Sequence, residues 1–223
     1  MTAICGLFAL LFAGLGVWQV ERLQWKLDLI RRIDLRLAAG AVDLPPPADW
    51  RQIDPRSLEY TKVRATGRYD YARETKVDAL TELGPGWWLL TPLDTGKGVV
   101  LVNRGFVPKA PVPQSNPRGF VSVTGLLRIS EPGGRFLRSN KPDASLWYSR
   151  DVPAIAKERG LANVAPFFVD AGRDPNGETW PRGGLTVVHF RNAHLVYALT
   201  WFGLAALSLF GLVLIWRRSA KQG

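Results

Sequence analysis

Two stretches of this chain are apolar all round, and the segment between them is not. Met1 to Val20 contains no Asp, Glu, Lys or Arg, and neither do the 24 residues from Ala193 to Trp216. At about 1.5 Å per residue the second run is about 36 Å long, enough to cross a hydrocarbon core of about 30 Å. After Val20 the pattern turns amphipathic. Leu23, Leu27, Ile30, Ile33 and Leu37 recur at helical steps with charges on the other face. That helix is predicted to end near Ala39-Gly40, ahead of a stiff, extended Pro45-Pro46-Pro47 linker.

Beyond the linker, short β-branched or aromatic runs alternate with Gly and Pro. They are Thr61 to Ala65, Trp87 to Thr91, Val99 to Val102, Val121 to Thr124, Pro166 to Val169 and Thr186 to Phe190. Their spacing and turn residues predict an antiparallel sheet that curls or closes. One further helix is predicted over Val152 to Arg159, with Gly160 as its stop. The predicted fold is a membrane protein with two transmembrane α-helices flanking a mainly antiparallel, β-rich α+β domain outside the cytoplasm. The chain divides into a first span (1–20), an amphipathic helix and Pro-rich linker (21–47), the β-rich domain (48–191), a second span (192–216) and a basic tail (217–223).

Charge refines this picture. The middle segment holds all 19 acidic residues and 26 of the 29 Lys and Arg, a balance of +7. These charges are interleaved and no nucleic-acid motif accompanies them, so anionic lipid head groups are the more natural partner. The first span has no positively charged start and ends in Val17-Trp18-Gln19-Val20, which is no cleavage site, so it reads as a retained helix. No Arg-rich, Ser-rich presequence stands ahead of it, which reads as bacterial. Arg217, Arg218 and Lys221 place the C-terminus in the cytoplasm by the positive-inside rule, while Arg22, Lys26, Arg31 and Arg32 pull the other way. Long domains translocate largely regardless of charge, so the short tail weighs more and the domain faces the periplasm.

Few residues offer chemistry. The single cysteine, Cys5, excludes an intramolecular disulfide and a thiol-based metal chaperone. There are two histidines, and no nucleophile elbow, phosphate loop or zinc-protease motif, so the reading is non-enzymatic. His189 lies in an alternating strand-like run and reads as structural. His194 opens the second span, with Asn192 as a suitable N-cap. In a first helical turn the macrodipole disfavours an imidazolium, leaving a neutral ring with a lone pair for haem iron or another metal. His194, Tyr197, Ala198, Trp201 and Ala205 share one helical face. Tyr197 and Trp201 suit packing on a flat macrocycle, Ala198 and Ala205 leave room for it, and Trp18 and Gln19 of the first span lie at a similar depth. The alternative is an ordinary interfacial histidine bonded to a carbonyl or head group. Asn103-Arg104-Gly105 reads first as a strand ending in a turn, with Arg104 also able to pair with a carboxylate such as a haem propionate. Trp87-Trp88 places one ring toward the core and the other toward a partner or bilayer. Ala9 and Ala13, with Gly14 and Gly16, permit close helix packing.

Several segments together resemble the Surfeit locus protein 1 family, membrane-bound assembly factors of haem-copper cytochrome oxidases. Trp18-Gln19-Val20-Glu21-Arg22-Leu23-Gln24-Trp25-Lys26 is similar to the family's Trp-Gln-x-x-Arg-x-x-Trp-Lys signature. Gly67-Arg68-Tyr69, Thr91-Pro92-Leu93, Leu101 to Pro108 and Val123 to Arg128 are similar to its central motifs. Asn192-Ala193-His194-Leu195-Val196-Tyr197-Ala198-Leu199-Thr200-Trp201 resembles its Asn-Asn-His-Leu-x-Tyr-Ala-x-Thr-Trp segment, with Ala193 in place of the second Asn; in the Leu101 to Pro108 motif, Phe106 stands where Trp is common. The resemblance implies an extracytoplasmic domain and a role in building the haem a-containing subunit I of cytochrome c oxidase. It implies His194 as the haem a ligand; beside it the reading from spacing, depth and residue type sets Tyr197 and Trp201 as haem-packing residues, Trp18 as a wall from the first helix and Arg104 as a propionate partner. The implied partners are subunit I, haem a synthase and membrane lipids, and the implied location is the bacterial inner membrane. A scaffold that stabilises a subunit I intermediate without binding haem is the alternative.

Overall fold

The computed structural model describes residues 2–135, 137–174, 179–186 and 192–219. His189, Lys221 and most of the run expected as a strand at Thr186 to Phe190 lie outside them. Two compact units form, Met1–Leu35 with Val188–Gly223, and Arg36–Val187.

The first unit contains the two long helices. Helix α1 runs over Thr2–Ala38 without a break, so the first span and the amphipathic helix are one element, roughly 55 Å long at 1.5 Å per residue. Helix α3 covers His194–Ser219 and carries Arg217 and Arg218 in its last turn. Both are long and apolar enough to cross a membrane.

The second unit is the β-rich domain. Its strands are β1 (Val42–Asp43), β2 (Lys62–Tyr69), β3 (Thr75–Thr81), β4 (Gly84–Asp94), β5 (Val99–Pro108), β6 (Phe120–Ile129), β7 (Gly134–Arg135), β8 (Arg138–Ser139) and β9 (Val164–Ala171). The main sheet has the order β1-β2-β6-β9-β5-β4-β3, and β2 also pairs with β4 through Arg68 opposite Asp94 and Tyr69 opposite Leu93. That last contact closes β2, β6, β9, β5 and β4 into a five-stranded barrel, which leaves those strands no open edge. Most pairings are antiparallel; β9 runs parallel to β5 and β1 parallel to β2. A separate hairpin is formed by β7 and β8.

Alternation along the strands makes two cores, because successive side chains point to opposite faces. Val63, Ala65, Leu93, Val100, Val102, Leu127, Phe167 and Val169 form one, with Trp50 against it. Trp50 satisfies its indole by donating to the Pro45 carbonyl at 2.8 Å, so the Pro-rich linker holds the ring that packs on this core. The intervening positions Val77, Leu90, Leu101 and Phe168 meet Trp147 and helix α2 (Val152–Glu158) in the second core. Asp151 caps α2 by accepting from the Ala154 amide, and Gly160 ends it at φ +62°.

Strand β3 escaped the sequence reading because its inward residues, Thr75, Val77 and Ala79, are small and weakly apolar. The turn expected at Asn103-Arg104-Gly105 is instead a bulge inside β5. Trp88 pairs with Phe106 and Leu90 with Asn103, so Leu89 stands opposite two residues. Gly105 permits this at φ +134°, where an added Cβ would come 2.3 Å from the Arg182 carbonyl. Trp88 packs edge-on against Phe106, whereas Trp87 carries Lys109 over its ring.

A carboxylate organises the second core's polar end. Asp170 is 3 % exposed. It accepts from Asn103 Nδ2 at 2.8 Å, Arg128 Nη1 at 3.1 Å, Arg150 Nη1 at 3.1 Å and Thr186 Oγ1 at 2.8 Å. Arg150 also forks onto Glu131 at 2.6 and 3.1 Å. Burial pushes the Glu131 carboxyl up, but the hydrogen bonds and charge of Arg150 outweigh it and hold that carboxyl below its ordinary value of 4.5. Removing the Asp170 carboxylate leaves two guanidinium groups without their shared acceptor. Asp170→Ala is expected to destabilise the domain by about 3–5 kcal/mol in denaturant unfolding of the detergent-solubilised chain. Because the folded Glu131 is the stronger acid, its contribution is complete above about pH 4.5 and is lost as pH falls through the lower folded value. Glu131→Gln is expected to flatten the fall in melting temperature over that acidic range.

Candidate functional site

In the helix unit, Ala9, Gly16 and Gln19 are buried on α1, as are Ala198 and Ala205 on α3. With Phe12, and with His194 and Trp201, they form stripes at steps of three and four residues, the spacing of a coiled-coil seam. Contacts across the seam run antiparallel. Phe12 stacks on Trp201 with ring centroids 5.6 Å apart, and Gly16 faces Phe202, whose ring would lie 2.6 Å from an added Cβ. Small residues let the backbones approach where lipid offers helices no hydrophobic gain from pairing.

At one end of the seam His194 Nδ1 lies 2.8 Å from Gln19 Oε1. The main-chain N–H of His194 donates to Asn192 Oδ1 at 3.3 Å, and the first intrahelical bond joins the Tyr197 amide to the Ala193 carbonyl at 3.2 Å. Asn192 therefore serves the helix start as anticipated, from one residue ahead of the formal cap. Among the described residues no protein atom bonds His194 Nε2.

The anticipated face is only partly a single surface. His194 and Trp201 join the seam, while Tyr197 is 55 % exposed and stands to one side. Ala198 and Ala205, expected to leave room for a macrocycle, are instead buried in the unit that α1 and α3 form. Trp18 is 50 % exposed, and its neighbour Gln19, 8 % exposed, is the residue that meets His194. Gln19, expected at a similar depth to His194, is a step of the 9, 12, 16, 19 stripe. Cys5 is a free, partly buried thiol within α1.

Arg104 belongs to the β-rich unit and is 7 % exposed. Its guanidinium donates to Glu74 Oε2 at 3.0 Å, to Asn116 Oδ1 at 2.9 Å and to the Ser115 carbonyl. Tyr71 and Tyr69 flank it, with its central carbon 4.8 and 5.4 Å from their ring centroids. Thr91 donates to the same Glu74 oxygen at 2.5 Å. Burial pushes the Tyr69 phenol well above its ordinary range, with the Arg104 charge opposing it. The ion-pair role expected of Arg104 is filled by Glu74 of the same unit. Among the described residues no cluster of His, Cys, Asp and Glu is arranged to hold a metal ion.

A closed barrel domain between two apolar helices, the helices paired through a small-residue and aromatic seam, defines a two-span membrane protein. The pattern of the SURF1 family matches residues 6–206. Surfeit locus protein 1 of Rattus norvegicus is 36% identical over 215 residues, taking in 86% of this chain and 68% of the rat protein. The Homo sapiens protein is 35% identical over 216 residues, covering 86% and 70% respectively. A SURF1-like protein of Caenorhabditis elegans is 32% identical over 224 residues, covering 88% and 68%. The chain belongs to the SURF1 family, known as cytochrome c oxidase assembly factors.

Arg104→Leu is expected to leave Glu74 buried without its cation and to lower domain stability by about 3–5 kcal/mol, measured by denaturant unfolding.

Proposed function

We propose that this protein receives haem a as cargo at the end of its helix pair and helps it settle in subunit I of cytochrome c oxidase, without chemical turnover. The observation carrying this reading is the ring of His194, fixed through Nδ1 while Nε2 has no protein partner among the described residues. An oriented neutral imidazole with one bare nitrogen is what haem iron takes as an axial ligand. Tyr197 and Trp18 offer exposed aromatic surface on either side of the seam, and Trp201 lies one turn further along α3. A flat macrocycle held by His194 would rest on that flank, since the alanine side of α3 is covered. When bound, the haem supplies an iron for the imidazole nitrogen and a broad apolar face for the aromatic rings.

The oxidase partner comes from family membership, and haem a synthase is the natural source of such cargo. The β-rich domain faces the periplasm of a bacterial inner membrane in this reading, supported by Arg217 and Arg218 in the last turn of α3. Membrane lipids surround the pair.

The test is to co-express the chain with haem a synthesis, purify it in detergent and record its absorption spectrum beside that of His194→Ala. The parent chain is expected to carry haem a, and the variant to carry at least about tenfold less. A haem-free parent chain, or a variant with an unchanged spectrum, rejects ligation and leaves the role of scaffold for a subunit I intermediate.

A further inference from the structure

We infer that Gln19 is a positioning residue that selects which nitrogen of His194 is free. For its bearing on cargo this rests on the haem reading above, but the contact and its consequence for the ring do not. An amide oxygen can only accept, so the 2.8 Å contact between Gln19 Oε1 and His194 Nδ1 requires a proton on Nδ1. A neutral ring carries one proton, which leaves the lone pair on Nε2. In water a neutral histidine side chain prefers the opposite form, with Nε2 protonated, so the seam holds the ring against its intrinsic preference.

Three features make Gln19 the determinant. It is 8 % exposed, so few waters compete for its oxygen. It stands on the α1 stripe below which Gly16 and Phe202 set the closeness of the helices. Asn192 holds the backbone of His194 while Gln19 holds its ring, so position and rotation are fixed by separate groups. The partners lie 175 residues apart in sequence, so the binding nitrogen is specified only once the two ends of the chain have met. The neutral amide also differs in consequence from a carboxylate at the same place. A carboxylate would push more electron density into the ring and tighten its bond to a metal; an amide orients the ring with less push, which suits a ligand that must be given up.

The test starts with haem-free protein in lipid, uniformly ¹³C- and ¹⁵N-labelled on histidine. Its side-chain shifts report which ring nitrogen is protonated, and His189→Asn assigns the two histidines. The parent chain is expected to show His194 protonated at Nδ1, Gln19→Leu to revert to the Nε2-protonated form, and Gln19→Glu to keep the Nδ1 proton. Protonation at Nε2 in the parent chain, or an unchanged ring in Gln19→Leu, overturns the inference. Since no haem is present, a haem-free co-expression product would reject the proposed function and leave this result standing. In protein that does load haem a, Gln19→Leu is expected to lose roughly tenfold in occupancy. Gln19→Glu should retain occupancy and shift the midpoint potential downward. An unshifted potential in Gln19→Glu overturns the orienting contact in the loaded state, and equal loading by Gln19→Leu does the same.

Discussion

A polar group taken out of water must find its hydrogen bonds inside the protein or cost several kcal/mol, and both units of this molecule are arranged around that requirement. In the β-rich unit the group is Asp170, which sits on a central strand and draws Asn103, Arg128, Arg150 and Thr186 onto its two oxygens. These partners come from two neighbouring strands, the approach to α2 and the segment after β9. One carboxylate thereby ties together pieces of chain that the sheet ladder alone does not connect. In the helix unit the groups are Gln19 and His194. A seam otherwise made of small and aromatic side chains places the two at its end, where each meets the other's demand. The contact is at once a condition of packing and the source of a bare imidazole nitrogen.

The same requirement explains why a family-like motif need not be a binding motif. Arg104 lies in a segment that resembles a central family motif, and by residue type it suits a propionate. The bulge at Arg104-Gly105 puts the guanidinium among Glu74, Ser115, Asn116 and two tyrosine rings, with 7 % of the residue exposed. An arginine so enclosed stabilises the domain, and its replacement by a binding group would first have to break that enclosure. His194 differs in the feature that matters, because among the described residues only its Nδ1 has a protein partner.

Division of labour between the units follows from their chemistry. The barrel is closed by the contact of β2 with β4, is filled by Val, Leu and Phe side chains, and keeps its strongest ion pairs to itself. Its contribution is a closed five-stranded body with a packed core. The helix pair holds the His194 ring through Nδ1, with Tyr197 and Trp18 exposed nearby, and it is there that the proposed cargo site lies.

Much of this was readable in the chain itself. Absence of charge over two terminal runs, each long and apolar enough to cross a bilayer as a helix, marks them as spans. Alternation located five of the barrel's strands, and Asp151 with Gly160 marked α2, because burial and capping act on neighbours in sequence. His194 was visible as a rare residue at a helix start. Pairings between distant positions were not visible. Strand β3 has too little apolar character to announce itself, and the turn expected at Gly105 became a bulge because β4 supplies the partner that keeps β5 running. Gln19 was legible only as a polar residue at the depth of His194, and its bond to that ring, 175 positions away, waited on the packing of α1 and α3. Sequence determined which segments leave water and which residue types are available at their ends. Tertiary structure decided which nitrogen of His194 meets Gln19 and which arginine pairs with Glu74, because hydrogen bonds are satisfied by whatever lies nearest in space.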